Sequence, residues 1–463
     1  MCASTAVPAV DTEVLRRFEG SGPRYTSYPT ADRFVEAFGP QTYETWLRKR
    51  SIGGFFRPLS LYVHLPFCST ICYYCGCNKV VTKDHGRSAK YLKYVEKEVA
   101  LQSALLDDRR VTQVHLGGGT PTFLSDAELR QLAEILCAHF EHADDAECSI
   151  EVDPRSVNVD TIHLLAELGF NRISVGVQDF DPDVQKAVNR IQSEAQTIET
   201  IEAARAAGFR SVNVDLIYGL PRQNVIGFNR TLEKIVEVAP DRSALYNYAH
   251  LPQIFKPQRR INEAELPDLD TRLQIFSLAV RRLGQAGYVH IGMDHFAKPE
   301  DDLAVAQRQG RLHRNFQGYS THADCDMLGL GITAIGKIGP TYSQNVRTLD
   351  EYYDRLDAGL LPMLRGIELS PDDLVRRSVI QALMCNFELA KESVEISHLI
   401  DFDRYFVAEL EELKPFVEAR LLETDDDWLT VTPRGRYVVR AICMVFDRYL
   451  REGRQRASYS KVM

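Results

Sequence analysis

Six short runs rich in β-branched and aromatic residues recur along the first part of the chain. They are LSLYVHLP (59–66), TQVHLGG (112–118), CSIEVD (148–153), RISVGVQ (172–178), SVNVDLIYG (211–219) and ALYNYAHL (244–251). Each of the first five leads into a stretch with helical spacing, as in SAKYLKYVEKEVALQSALL (88–106) and SDAELRQLAEILCAHF (125–140). Ser125, with Glu128 three residues on, reads as a capping box. Gly208 closes ETIEAARAAG (199–208) where a helix C-terminus favours glycine. Strand followed by helix, repeated, calls for parallel strands joined by crossover helices. The nearly continuous apolar runs fit strands covered on both faces. An open doubly wound sheet and a complete or partial (β/α) barrel both satisfy this pattern.

The strand ends separate the two. In order they carry a cysteine cluster (68–77), Gly117-Gly118-Gly119-Thr120, Glu151 and Asp153, Gln178 and Asp179, Asp215, and Tyr248 with His250. Barrel enzymes place their chemistry on that rim. Six rims feeding one site favour a curved sheet, so the expected fold is α/β, a partial (β/α)6 barrel with its core at about 58–250. Before it, SGPRYTSYPT (21–30) lacks periodicity and reads as part of an extended N-terminal arm over residues 1–50. After it, 252–345 reads as short helices with a Gly-rich run, LGLGITAIGKIG (328–339), completing a catalytic domain over 51–355. Residues 356–463 read as mainly helical, with a short β pair around DDDWLTVTPRGRYVVRAI (425–442), suggesting a winged-helix-like domain.

Within HLPFCSTICYYCGCN (64–78), Cys68, Cys72 and Cys75 form C-x3-C-x2-C, and Cys77 follows. The chain has ten cysteines. Its N-terminus has no basic segment followed by an apolar core, and no run of about 18 apolar residues occurs. A reducing cytoplasm is therefore expected, where clustered cysteines more often hold metals than form disulfides. Structural zinc sites usually use two separated C-x2-C pairs, and no second pair exists here. A four-iron cluster held by three cysteines leaves one iron open. Zinc stays as the alternative. The net charge of −9 argues against a nucleic-acid partner, and requires any site for an anionic ligand to concentrate its own cations.

This spacing resembles the radical S-adenosylmethionine (SAM) superfamily, as do GGGTP (117–121) after the second strand and Tyr74 before the third cysteine. Within it the chain resembles the oxygen-independent coproporphyrinogen III oxidases. The likeness runs through SGPRYTSYPT, YVHLPFC, CYYCGCNK, HLGGGTPT, IEVDPR, SVGVQDF, VNVDLIYGLP, YNYAHLP, IGMDHFA, LHRNFQGY and VTPRGRYVVRAICMVFD. The haem-chaperone branch of the same family shares the barrel, but typically lacks the RYTSYPT arm and has an aromatic where this chain has Gly76-Cys77. The resemblance implies one [4Fe–4S] cluster and SAM, two molecules of it. It implies oxidative decarboxylation of two propionates of coproporphyrinogen III to vinyls, giving protoporphyrinogen IX. A separate electron donor and acceptor are required. No membrane or nucleic-acid partner is implied, and a monomer is expected.

The resemblance places Cys68, Cys72 and Cys75 on the cluster. It places Tyr62, Tyr74, Gly118, Gly119, Thr120, Glu151, Gln178, Arg190, Asp215, Ala249 and Ile335 around SAM, and gives Tyr62 and Cys77 catalytic roles. Glu151 suits the SAM ammonium, Arg190 its carboxylate by bidentate pairing, and Gln178 and Asp215 the ribose hydroxyls. The plainer reading is that acids at strand ends cap the next helix, which fits Asp153 before Pro154 better than Glu151. Were Cys77 a ligand, SAM would have no iron to chelate, so it reads as a relay, a pocket-shaping residue, or simply a small buried side chain. For the substrate carboxylates the candidates are Arg24, His295, Arg314 and Gln317. Lys256, Arg259 and Arg260 after the sixth strand and His313 are further candidates, with a solvated face the preferred reading of the double arginine.

Overall fold

The structure, a computed structural model, describes residues 10–18, 20–51, 57–323 and 325–453. The six expected runs are strands β1 (Leu59–Leu65), β2 (Arg110–Gly118), β3 (Glu141–Val152), β4 (Arg172–Gln178), β5 (Ser211–Tyr218) and β6 (Arg242–Asn247). Between them lie helices α1 (Gly86–Ser103), α2 (Asp126–His139), α3 (Val159–Glu167), α4 (Glu194–Ala206) and α5 (Val225–Val238). Ser125 and Glu128 form the reciprocal capping box on α2. Asn158, Ser193 and Asn224 cap α3, α4 and α5 by accepting from backbone N–H groups of the first turn. Gly208, with φ 88°, takes the left-handed turn after α4.

Further along come α6 (Leu269–Gln285), β7 (Val289–Gly292), β8 (His295–Ala297), β9 (Asp326–Leu330), β10 (Ile335–Ile338), β11 (Thr341–Asn345), α7 (Leu349–Asp357) and β12 (Met363–Glu368). The C-terminal part holds α8 (Pro371–Asn386), α9 (Lys391–His398) and α10 (Val407–Glu418).

The described residues fall into two compact units. The first takes 33–215 and 324–368, the second 1–32, 216–323 and 369–463. The boundaries expected near residues 50 and 355 therefore differ from the division by compactness, because the chain passes from one unit to the other several times. No helix among the described residues is long and apolar enough to cross a membrane.

In the first unit the sheet order is β12-β11-β10-β9-β1-β2-β3-β4-β5. β1 pairs parallel with β9 on one side and β2 on the other, and β2–β3 and β3–β4 are also parallel. Burial on both faces of β1 follows from helices covering a parallel sheet. The Gly-rich run at 328–339, expected among short helices, instead contains β9 and β10. Its glycines serve close strand packing. A Cβ on Gly329 would stand 2.8 Å from the Ile335 carbonyl carbon, and one on Gly336 2.9 Å from the Met327 oxygen. Glu98 of α1 is fully buried here. It accepts from Tyr352 Oη (2.6 Å), Gly331 N (2.7 Å), Asn345 Nδ2 (2.7 Å) and Gln102 Nε2 (3.1 Å).

In the second unit the last residues of β5 are followed in sheet order by β6, β8 and β7. The arm is less extended than expected. Asp11 caps a helix at Thr12–Arg17, and in the first unit Pro40 opens another at Pro40–Arg48. The RYTSYPT stretch carries only turns and is fastened by side chains. Tyr25 Oη donates to Asp447 Oδ2 at 3.0 Å, and Tyr28 Oη accepts from Arg448 N at 3.3 Å. The C-terminal part joins its helices to a small antiparallel sheet of Glu388–Ala390, Trp428–Val431 and Leu422–Thr424, in that order. The expected second strand over YVVRAI is helical, at Gly435–Val438 and Val439–Val445. Val438, Val439, Ile442 and Cys443 are all buried, a spacing that marks one helical stripe despite the β-branched residues.

Candidate functional site

Cys68 ends a two-residue strand, Phe67–Cys68, that pairs parallel with Val80–Val81. Val80 N donates to Pro66 O at 2.7 Å and Thr82 N to Cys68 O at 2.9 Å, closing the cysteine loop at its base. Asn189 Nδ2 donates to Ile71 O (2.7 Å), Tyr73 N to Val188 O (2.9 Å), and Lys79 Nζ to the carbonyls of Cys75 (3.2 Å) and Cys77 (3.3 Å). Cys68, Cys72 and Cys75 thereby line one cavity of about 360 Å³, together with Cys77, Tyr74, Gly118, Gly119, Thr120, Glu151, Gln178, Arg190 and Asp215. That volume suits one small organic molecule.

Donors converge on the sulfurs. Thr120 Oγ1 reaches Cys68 Sγ at 3.5 Å, and Arg155 Nη2 and Arg190 Nη1 each reach Cys72 Sγ at 3.7 Å. The Cys77 thiol, hydrogen-bonded to that of Cys75, lowers the Cys75 pKa to about 6. Burial pushes Cys68 up to about 11. Among the described residues no three His, Cys, Asp or Glu side chains converge on a single-ion position. Thiolates that each take a different iron need no such convergence. Three soft ligands on one loop with N–H and O–H donors to sulfur therefore fit a cluster with an open iron.

Glu151, at the end of β3, accepts from Gly118 N at 3.3 Å, and its Oε1 lies 3.6 Å from His115 Nε2. Burial would raise its pKa, but His115 and the Gly118 N–H outweigh it, and the carboxyl lies below its ordinary value. Asp215 accepts from Ser174 Oγ (2.7 Å) and Asn213 Nδ2 (2.9 Å), yet burial holds it up at about 6. Gly118 has φ 113°, and a Cβ there would stand 2.6 Å from the His64 ring. Gln178, a non-glycine at φ 66°, keeps a strained conformation at the cavity wall. Tyr62 does not line the cavity. Its hydroxyl meets His64 Nδ1 at 3.2 Å and its ring stacks on His115, 5.9 Å between centroids. Ile335 begins β10 against Gly329, whose partner on β1 is Tyr62.

Arg190 is buried and so is no part of a solvated helix face. It donates to Gly176 O (2.8 Å) and Asp153 Oδ2 (3.1 Å). Asp153 does cap the next short helix, accepting from Arg155 N at 3.0 Å. It also pairs with Arg155 Nη2 at 2.7 Å. Sequence reasoning missed His115, Arg155 and Lys79. For Arg155 a signal existed: in IEVDPR it follows an acid by two residues, as an Asx-turn partner does.

The second unit gathers the substrate candidates. Arg24 ion-pairs with Asp294 and lies 5.6 Å over the Tyr246 ring. Arg314 Nε donates to Arg24 O at 3.3 Å, and its guanidinium lies 4.7 Å over Tyr319. The His295 ring stands edge-on to Tyr246 and Tyr319. Burial, with Arg314 and Arg24 nearby, drives the His295 pKa well below its ordinary value, so it serves as a neutral donor or acceptor and not as a cation. Gln317 sits in the turn between His313–Asn315 and Gly318–Ser320, its N–H donating to Asn315 Oδ1 at 2.9 Å. Ala249 follows β6, and its carbonyl accepts from Gln258 Nε2 at 3.1 Å. Lys256, Arg259 and Arg260 are exposed.

Residues 62–235 match the Radical SAM superfamily and 369–438 the HemN C-terminal domain. The chain is 50% identical over 443 residues to the oxygen-independent coproporphyrinogen III oxidase of Pseudomonas aeruginosa, covering 95% of this chain and 96% of the relative. It is 46% identical to the Escherichia coli protein of that name, over 98% of each. The solved structure of coproporphyrinogen III oxidase from Escherichia coli, described as a radical SAM enzyme, superposes with TM-score 0.91 at 45% identity, over 95% of this chain and 99% of that one.

Proposed function

We propose the function of this chain from one premise: it belongs to the family of oxygen-independent coproporphyrinogen III oxidases, which are radical SAM enzymes. The protein is an oxidoreductase that oxidatively decarboxylates two propionates of coproporphyrinogen III to vinyls, giving protoporphyrinogen IX without oxygen. The observation that carries the reading is the single cavity where the C-x3-C-x2-C loop meets Glu151 and Arg190.

Cys68, Cys72 and Cys75 would hold a [4Fe–4S] cluster. Glu151, kept ionised beside the Gly118 N–H, suits the SAM ammonium, and Arg190 the carboxylate. Asp215 and Gln178 face the same cavity and suit the ribose hydroxyls. When bound, the cluster and SAM supply one-electron cleavage of a sulfonium and so a radical able to take hydrogen from a propionate β-carbon. Carbon dioxide then leaves the substrate, and one further electron passes to an acceptor. No general base is needed. The SAM that meets the cluster is assigned to this cavity, and a second SAM molecule is the family expectation. Arg24 and Arg314, both cationic, suit substrate carboxylates, with His295 and Gln317 as neutral partners. A reductant and an acceptor are the required partners, and the chain acts as a cytoplasmic monomer.

The test is anaerobic turnover of the iron- and sulfide-reconstituted protein with SAM, a reductant and coproporphyrinogen III. Carbon dioxide, 5′-deoxyadenosine and protoporphyrinogen IX should all appear. Cluster-replete protein that makes no protoporphyrinogen sinks the oxidase reading. Tight stoichiometric haem binding without turnover would place the protein with the chaperones instead, and zinc without iron would remove the cluster.

A further inference from the structure

Two guanidinium groups converge on one thiol of the three. Arg155 Nη2 and Arg190 Nη1 both stand 3.7 Å from Cys72 Sγ. A single carboxylate braces them, with Asp153 Oδ2 at 2.7 Å from Arg155 Nη2 and 3.1 Å from Arg190 Nη1. Asp153 is itself fixed as the cap of the short helix Pro154–Ser156, so the bracing oxygen is set by backbone geometry. Cys68 meets a neutral hydroxyl instead. The charge beside Cys72 is therefore two cations against one anion, at a buried sulfur.

The two arginines are not equivalent. Both line the same cavity, but Arg190 has a second anchor, Gly176 O at 2.8 Å, and is the one assigned above to a cofactor carboxylate. Among the described residues Arg155 makes its other hydrogen bonds to Asp153, through Nε at 3.0 and 3.2 Å and its backbone N–H at 3.0 Å. With Arg190 assigned to the SAM carboxylate, Arg155 is the cation left to the Cys72 sulfur. Resting on the cluster assignment above, we infer that Arg155 is a positioning residue which, through the Cys72 sulfur, raises the reduction potential of the cluster and so makes it easier to reduce. The physical reason is general. Reduction adds negative charge to the cluster, and a cation donating an N–H bond to a ligand sulfur stabilises the more negative state.

The experiment uses full-length reconstituted protein without SAM. The midpoint potential is read by a redox titration followed by electron paramagnetic resonance, with iron and sulfide assayed on the same samples. Arg155→Gln keeps an N–H donor and removes the charge, and should shift the midpoint to more negative values at unchanged iron content. Arg155→Lys restores the charge and should lie between Gln and the parent. Equal midpoints in all three proteins overturn the inference. Loss of iron in both variants also overturns it, in favour of a purely structural role for Arg155. If the parent itself takes up no cluster, the cluster assignment fails. If the parent is replete and the variants match it, only the role of Arg155 fails.

Discussion

Cys77 and Cys75 meet each other's thiols, where Cys72 meets two arginines and Cys68 a hydroxyl. Cys77→Ser should leave iron and sulfide content unchanged and reduce oxidase turnover by roughly 100-fold, the scale of a lost transfer group. Lost iron would make Cys77 a ligand, and full turnover would make it incidental. Glu151→Gln removes the ionised partner of an ammonium and should weaken SAM binding by roughly 10- to 100-fold, the scale of a charge-assisted hydrogen bond. Equilibrium binding to the cluster-loaded protein measures it, and unchanged affinity would exclude Glu151 as the ammonium site. At this scale the cysteines were readable as a group, because Cys68, Cys72 and Cys75 stand within eight residues and line one cavity. His115 and Arg155 escaped because their roles come from neighbours on other elements. His115 acts through Glu151 of the adjacent strand, and Arg155 through a thiol 83 positions away in sequence.

The turn after β2 shows how an element constrains the site. Gly118 combines φ 113° with an N–H aimed at Glu151, and the His64 ring fills the space a side chain would need. Gly118→Ala should cost about 1–3 kcal/mol of stability through backbone strain and steric conflict. It should also weaken SAM binding by displacing that N–H, while the cysteine loop still takes up iron. Urea unfolding and SAM titration of one sample check both effects, and unaltered SAM affinity would contradict the assigned role of the turn. The crossover helices and their caps were legible because side-chain period and cap chemistry are local. The strands β9 and β10 were hidden behind glycines whose reason is the closeness of a neighbouring strand. The helix at 439–445 was hidden behind valines whose propensity points the other way.

Across the first unit, Glu98 joins segments far apart in sequence: α1, the turn after β9, β11 and α7. Burial pushes its carboxyl up to about 7 against four donors. An ordinary glutamate titrates near 4.3, so the folded chain holds this proton through a range where the unfolded chain has lost it. The stabilisation is complete below about 4.3 and is lost as the pH rises through about 7, a change of roughly 4 kcal/mol. Thermal unfolding between pH 5 and 8 should show the parent losing stability with rising pH more steeply than Glu98→Gln. Parallel pH profiles would mean that Glu98 titrates normally. Such a residue is invisible to motif reading, because three of its four partners, Gly331, Asn345 and Tyr352, reach it only when the whole unit has formed.

The paired strands Phe67–Cys68 and Val80–Val81 close the base of the cysteine loop by backbone hydrogen bonds, and Asn189 and Lys79 hold its crown. Zinc fingers gain their fold from the metal, so losing it unravels them. Here hydrogen bonds of the chain itself fasten the loop at base and crown, so its shape has a source besides the ligand bonds. A loop tied in this way keeps, after air has stripped its iron and sulfide, the hydrogen bonds that would seat a new cluster.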